Sequence, residues 1–274
     1  MNPYLRLIRP SNFVITLCSI ALACVLAGGT AAQWMLIAAA SLSGALIGAG
    51  GMVINDLFDI AIDRINKPDR PLASGVISPG AARMAYRALT ASGLLLTLTL
   101  PVGAQLIAVI ASVIIYVYSA VLKRTVLAGN IAVGLMTGLT FIYGGAAVGS
   151  VERGLLPAVF ALLMNAGREI IKDMEDVEGD RKEGALTLPV KFGMKAGASA
   201  ATAVLLLLVA ASMAPVVLSI YTWKYLILVA AGMISVIGYC LYSLWTDQST
   251  ANLHRLSTIL KYDMIVGLAA IYLG

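Results

Sequence analysis

Long apolar runs alternate with short polar segments along the whole chain. The runs lie at about residues 12–28, 34–55, 83–100, 104–122, 127–149, 155–172, 197–219, 223–245 and 257–273. Each is close to the ~20 residues a helix needs to cross a bilayer, and none alternates as the ~10-residue strands of a barrel do. The pattern predicts an all-α integral membrane protein of about nine transmembrane helices. Pro101-Val102-Gly103 should join the third and fourth spans as a tight antiparallel hairpin. The second span carries Gly44, Gly48, Gly50 and Gly51, small residues that let helices approach closely, so it is expected inside the bundle. Residues 64–82 and 178–196 are polar connections longer than bundle turns; both are expected to cap a site.

The polar positions repeat. Asp56, Asp59 and Asp63 close the second span, and Asp173, Asp176 and Asp180 close the sixth, at a constant offset of 117 residues. Spacings of three and then four put each triad on one helix face, where like charges repel. A purely structural helix does not ask for this, whereas a divalent cation does. The repetition predicts a single domain over residues 1–274, with pseudo-symmetric halves at about 34–149 and 155–273. The two triads are expected to face each other.

Composition fixes the class. Of 274 residues, 60% are hydrophobic and 12% charged, with a mean hydropathy of +0.91. Soluble domains carry about 25% charged residues. The net charge of +5 does not point to nucleic acid, because the basic residues sit in short loops between spans. Distributed over the nine spans, 17 of the 19 Lys and Arg fall on one side and only Arg153 and Lys224 on the other. The positive-inside rule then puts the N-terminus and both acid motifs in the cytoplasm, in a multi-pass protein of the cell membrane. Eleven of the 14 acids lie in or beside the two motifs. Cys18, Cys24 and Cys240 sit in apolar runs and read as buried small residues, without disulfide or metal spacing. Arg6 and Arg9 before the first run imitate a signal peptide, but the many later spans favour a retained helix.

Two facing triads suit two Mg²⁺ ions that neutralise a diphosphate and stabilise it as a leaving group. Arg64, Lys67, Arg70, Lys123, Arg124 and Arg181 are the cations available to compensate the remaining charge. Asn55 is placed to donate to a diphosphate oxygen or to bind a metal through its carbonyl. Everything around them is apolar helix, so the substrate that fits is a diphosphate with a hydrocarbon tail. A transporter using intramembrane acids is the reading from another class. Against it, the acids gather at the cytosolic ends of spans and the outer half has almost no polar residues.

Asn55-Asp56-x-x-Asp59-x-x-x-Asp63, with Asp173-x-x-Asp176-x-x-x-Asp180 in a later span, resembles the UbiA superfamily of intramembrane prenyltransferases. Arg9-Pro10, Tyr118-Ser119-x-x-Leu122-Lys123-Arg124 and Gly129-Asn130 look like that family's basic and polar site residues. Two further stretches are similar to the digeranylgeranylglyceryl phosphate synthase branch: Asn66-Lys67-Pro68-x-Arg70-Pro71-x-x-Ser74-Gly75, and the run from Arg168 to Asp180. Leu72-Ala73 stands where that branch has Ile-Pro, and chlorophyll synthases share much of both motifs.

The resemblance implies Mg²⁺-dependent transfer of geranylgeranyl from its diphosphate to geranylgeranylglyceryl phosphate. An aromatic quinone precursor or chlorophyllide is the rival acceptor. On this reading the six aspartates bind metal, Arg70 and Lys123 hold the diphosphate and Asn55 orients it. Tyr118 lies near the developing carbocation, whose charge an aromatic face favours. Arg9, Arg64 or Arg181 would meet the acceptor phosphate, and Asn130 joins the substrate-binding set. Glu175, Glu178 and Asp69 read as solvated neighbours and His254 as a bystander. Prenyl chain length and oligomeric state leave no mark in the sequence.

Overall fold

The computed structural model describes residues 2–182 and 184–274, without the side chains of Asn66 and Arg124. Its helices in chain order are α1 (Pro3–Ile8), α2 (Pro10–Leu26), α3 (Trp34–Phe58), α4 (Ile60–Asn66), α5 (Pro79–Thr97), α6 (Val102–Ala120) and α7 (Ala128–Ala147). There follow α8 (Val151–Glu175), α9 (Val177–Lys182), α10 (Leu188–Phe192), α11 (Met194–Val217), α12 (Trp223–Leu228), α13 (Ser235–Thr246) and α14 (Thr250–Leu273). A π-helical turn, Val229–Ile234, carries α12 into α13. Among the described residues there is no strand.

Among the described residues, seven helical stretches are long and apolar enough to cross a membrane: Ala31–Phe58, Val102–Ala120, Ala128–Ala147, Val151–Glu175, Met194–Val217, Trp223–Thr246 and Thr250–Leu273. The chain is therefore an all-α multi-pass membrane protein. Helices also occupy the other two expected spans, but neither meets that standard. α2 has only 17 residues, and α5 carries Arg83 and Arg87. Two compact units are present, residues 1–122 with 139–155 and residues 123–138 with 156–274.

The first unit is built on α3, which packs against α1, α2, α5 and α6. Its glycines act as expected. A Cβ on Gly50 would lie 2.5 Å from Thr90 Oγ1, and one on Gly93 of α5 would lie 2.8 Å from the Ser43 carbonyl. Backbones that close leave no room for a side chain. Ile20, Cys24, Ile47, Leu100 and Tyr143 share one core, in which the buried Tyr143 hydroxyl is satisfied by Ser43. Leu7, Val53, Leu72, Ile77 and Ala82 form a second. Leu72 and Ile77, each 3% exposed, come from the 64–82 connection and seat it on the helices. An apolar side chain at position 72 thus serves as an anchor. Arg6 of α1 donates to the Asp69 carbonyl at 2.7 Å, and Ile77 N–H to the Pro71 carbonyl at 3.0 Å, fixing the same segment.

In the second unit α14 packs against α12, the π turn and α13, and Leu205, Ile237, Leu244, Leu253 and Leu260 are buried. The α13–α14 turn is a polar clasp. Ser249 caps α14 by accepting from the Asn252 N–H, and Asp247 accepts from both the N–H and the hydroxyl of Ser249. Those two bonds hold the Asp247 carboxyl below the usual range. The three cysteines are free; Cys24 and Cys240 are buried as expected, but Cys18 is exposed. It lies on the outward face of α2, away from Ile20 and Cys24, because an apolar run in a membrane helix does not tell a lipid-facing position from a core one.

Candidate active site

The first acid motif does not lie on a single unbroken helix. α3 ends at Phe58, Asp59 is the junction residue, and α4 starts at Ile60. The hydrogen-bond ladder nevertheless runs through the junction, from Asp59 N–H to the Asn55 carbonyl at 3.1 Å and from Asp63 N–H to the Asp59 carbonyl at 2.8 Å. The second motif does the same thing. α8 ends at Glu175, Asp176 is the junction and α9 begins at Val177, with Asp176 N–H bonded to the Lys172 carbonyl and Asp180 N–H to the Asp176 carbonyl, both at 2.9 Å. These bonds keep the acids near the helical phase that the spacing suggested.

In the first unit Asp56 and Asp63 are buried, 3% and 5% exposed. Burial of carboxylates this deep requires partners. Arg9 Nη2 lies 2.6 Å from Asp56 Oδ1, and Arg70 Nη1 lies 3.1 Å from that same oxygen and 2.6 Å from Asp63 Oδ2. Asp59 turns aside and accepts from the Asn55 side-chain amide at 2.9 Å. Arg9 is presented by a strained turn: it links α1 to α2 at φ 49°, one of two non-glycine residues described with positive φ. Arg70 is presented by the connection that Leu72 and Ile77 anchor. The structure therefore brings Arg9, Asn55, Asp56, Asp59, Asp63 and Arg70 together. Arg64 and Lys67 are exposed and stand in none of these contacts. Tyr118 is half-buried on α6. On the same helix Tyr116 packs edge-on against Phe58, with ring centres 5.8 Å apart, beside the end of α3.

In the second unit Asn130 donates to Asp173 Oδ2 at 2.8 Å, Lys172 Nζ lies 2.5 Å from Asp176 Oδ2, and Thr187 Oγ1 donates to Asp180 Oδ2 at 3.0 Å. Arg181 is exposed. Lys123 is half-buried in the helical turn Leu122–Arg124. The Arg124 side chain lies outside the described residues. Glu175 is not a solvated neighbour: its side chain is 16% exposed and pairs with His254 at 2.8 Å. Thr187 was missed by the sequence reading. Its signal was present, since a Thr directly before Leu188-Pro189 marks a helix start within reach of the acid motif.

The donor set suits a hard cation. Carboxylate oxygens of Asp56 and Asp63 already converge on one positively charged atom, Arg70 Nη1. No three acids, histidines or cysteines among the described residues converge on one point.

Residues 15–261 match the UbiA prenyltransferase family. Digeranylgeranylglyceryl phosphate synthase of Methanothermobacter thermautotrophicus is 35% identical over 275 residues, covering 100% of this chain and 96% of its own. A solved structure concerned with digeranylgeranylglyceryl phosphate synthase in membranes has a TM-score of 0.89 at 35% identity, covering 99% of this chain and 97% of that one. A UbiA homolog from Archaeoglobus fulgidus, bound to DMAPP and Mg²⁺, has a TM-score of 0.73 at 25% identity, covering 98% and 99%. Both the matched span and the full-length relatives lead to one conclusion: the chain belongs to the UbiA prenyltransferase family.

Proposed function

We propose that this prenyltransferase moves a geranylgeranyl group from geranylgeranyl diphosphate to the free hydroxyl of geranylgeranylglyceryl phosphate, making digeranylgeranylglyceryl phosphate for ether-type membrane lipids. The observation that carries the choice of substrates is full-length likeness, at 35% identity, to a digeranylgeranylglyceryl phosphate synthase. The Mg²⁺ and prenyl diphosphate bound to the A. fulgidus homolog support the metal and the donor class.

Asp56, Asp59, Asp63, Asp173, Asp176 and Asp180 are the residues to hold Mg²⁺, two ions in all. When bound, Mg²⁺ supplies Lewis-acid stabilisation to the departing diphosphate. Arg70 and Lys123 bind diphosphate oxygens, with Lys67 and Arg124 nearby in sequence as further cations. Asn55 orients the diphosphate, and Asn130 fixes the carboxylate of Asp173. Tyr118 offers an aromatic face to the allylic cation. In the transfer the allylic C–O bond of the donor breaks, a new C–O bond forms to the acceptor hydroxyl, and diphosphate and a proton are released. Arg9, Arg64 or Arg181 meets the acceptor phosphate. The chemistry takes place at the cytoplasmic face of the cell membrane, in keeping with the distribution of basic residues.

The test is a radiolabelled geranylgeranyl diphosphate assay in vesicles with Mg²⁺. Geranylgeranylglyceryl phosphate, 4-hydroxybenzoate, a naphthoate and chlorophyllide are offered separately as acceptors. Labelled lipid formed only with the glyceryl phosphate is the expected result. Transfer to an aromatic or tetrapyrrole acceptor instead would overturn the acceptor and keep the diphosphate chemistry.

A further inference from the structure

In the first acid motif a cation's place is already taken. A single nitrogen, Arg70 Nη1, sits 3.1 Å from Asp56 Oδ1 and 2.6 Å from Asp63 Oδ2, and both acids are buried. A metal bound through those oxygens and the Arg70 guanidinium compete for the same lone pairs. We infer that Arg70 is an internal counter-ion that fills the first motif in the substrate-free protein, then leaves the carboxylates for the diphosphate when metal and donor bind together. The inference rests on the metal and diphosphate reading given above and adds to it the order and coupling of binding.

Two observations support Arg70 in this part over Arg9. Arg70 bridges two acids of the motif, whereas Arg9 touches Asp56 alone. Its backbone is held by Leu72 and Ile77, each 3% exposed, so the side chain can swing without moving the connection. Arg9 is fixed in a left-handed turn between two helices.

The energetics favour coupling. Metal alone would have to strip Arg70 of both carboxylates and leave a half-buried guanidinium without an anion, which is strongly unfavourable. A diphosphate gives Arg70 a new bidentate partner. Each ligand therefore raises the affinity of the other by the same factor. The substrate-free protein keeps its buried charges balanced and binds metal weakly until a prenyl diphosphate arrives.

The experiment uses full-length protein in detergent, with Mn²⁺ as an EPR-visible probe of the metal site and geranylgeranyl thiolodiphosphate as an unreactive donor. Wild type should bind Mn²⁺ weakly alone. R70Q should bind it more tightly without donor, by about fivefold or more, a typical lower bound for coupling between sites. It should also bind the thiolodiphosphate more weakly. Unchanged or weaker Mn²⁺ affinity in donor-free R70Q overturns the inference. A second measurement needs no variant: phenylglyoxal labelling of Arg70, read by mass spectrometry against the exposed Arg87. Labelling of Arg70 should rise when Mg²⁺ is added alone at saturation, then fall when the thiolodiphosphate joins it; labelling that ignores Mg²⁺ overturns the inference as well. If wild type binds no Mn²⁺ even with thiolodiphosphate, the metal and diphosphate reading falls, and the Arg70 exchange falls with it. Mn²⁺ and thiolodiphosphate bound by wild type, with Arg70 unmoved, removes the exchange alone.

Discussion

The two acid motifs share a backbone and differ in how their charge is balanced. In both, a long membrane helix stops one residue before the middle acid, and a short helix continues the same ladder. The partners are then exchanged. The first acid meets guanidinium groups in one motif, Arg9 and Arg70 on Asp56, and a neutral amide in the other, Asn130 on Asp173. The middle acid meets the amide of Asn55 in one and the ammonium of Lys172 in the other, each from four residues earlier. The last acid meets Arg70 in one and the hydroxyl of Thr187 in the other. The two motifs thus share the spacing of their carboxylates, while the contacts described around them differ.

Substitutions can break this comparison at several levels. The largest effect is expected at the junction acids. Asp59→Ala and Asp176→Ala should each lower Mg²⁺-dependent prenyl transfer by about 10²–10³-fold, the size of loss that follows removal of a group stabilising developing charge. Membrane integration, followed by extraction and size-exclusion in detergent, should persist. Full activity in either variant would mean that the motifs are not functionally equivalent. Next comes stability, where the halves should part. Asp56→Asn leaves Arg9 and Arg70 beside a neutral group and should lower unfolding free energy by about 2–3 kcal/mol, at the lower end for a broken buried pair because both arginines keep some exposure. Asp173→Asn loses only the strength of one bond to Asn130, about 1 kcal/mol. Denaturant unfolding in detergent would measure the difference, and equal losses would contradict the charge assignment.

Smaller effects sharpen the picture. Asn130→Ala and Thr187→Ala remove groups that orient acids and should weaken Mn²⁺ binding by about tenfold each, the usual scale for residues supporting a metal ligand. Affinity measured by EPR titration in the presence of thiolodiphosphate would show it. Lys123→Ala tests a cation outside both motifs. Losing one charge-assisted hydrogen bond should reduce donor affinity by about tenfold, with little change in Mn²⁺ affinity of the donor-free protein. Unchanged donor affinity would leave Lys123 as a topology charge.

Much of this was legible in the chain because it depends on local period. Apolar runs marked the helices, the offset of 117 marked two acid motifs with matching junctions, and the glycines of α3 marked its close packing against α5. What escaped depends on contacts distant in sequence or on backbone detail that carries no residue signature. The break at Asp59 is invisible because the acids keep helical spacing across it, with Asp59 still bonded to Asn55 and Asp63 to Asp59. Arg9 and Arg70 were readable as site cations, but their shared oxygen on Asp56 requires a turn, a loop and a helix to meet. The π turn at Val229–Ile234 lies in an apolar stretch whose pattern is indistinguishable from ordinary helix. Asp263 went unremarked inside the last span; it is 4% exposed, and neither of its oxygens has a hydrogen-bond partner among the described residues.

The helical spacing kept across Asp59 and Asp176 has a consequence for how the gene can change. One residue inserted between Asp56 and Asp63, or between Asp173 and Asp180, would rotate everything beyond it by about 100° and carry the last acid off its face. An insertion at an exposed point such as Gly149, whose added Cβ would meet nothing within 4 Å, has no such phase to spoil. Length variation should therefore collect in the turns and be purged from two eight-residue windows, each acting as a ruler for the carboxylates it carries.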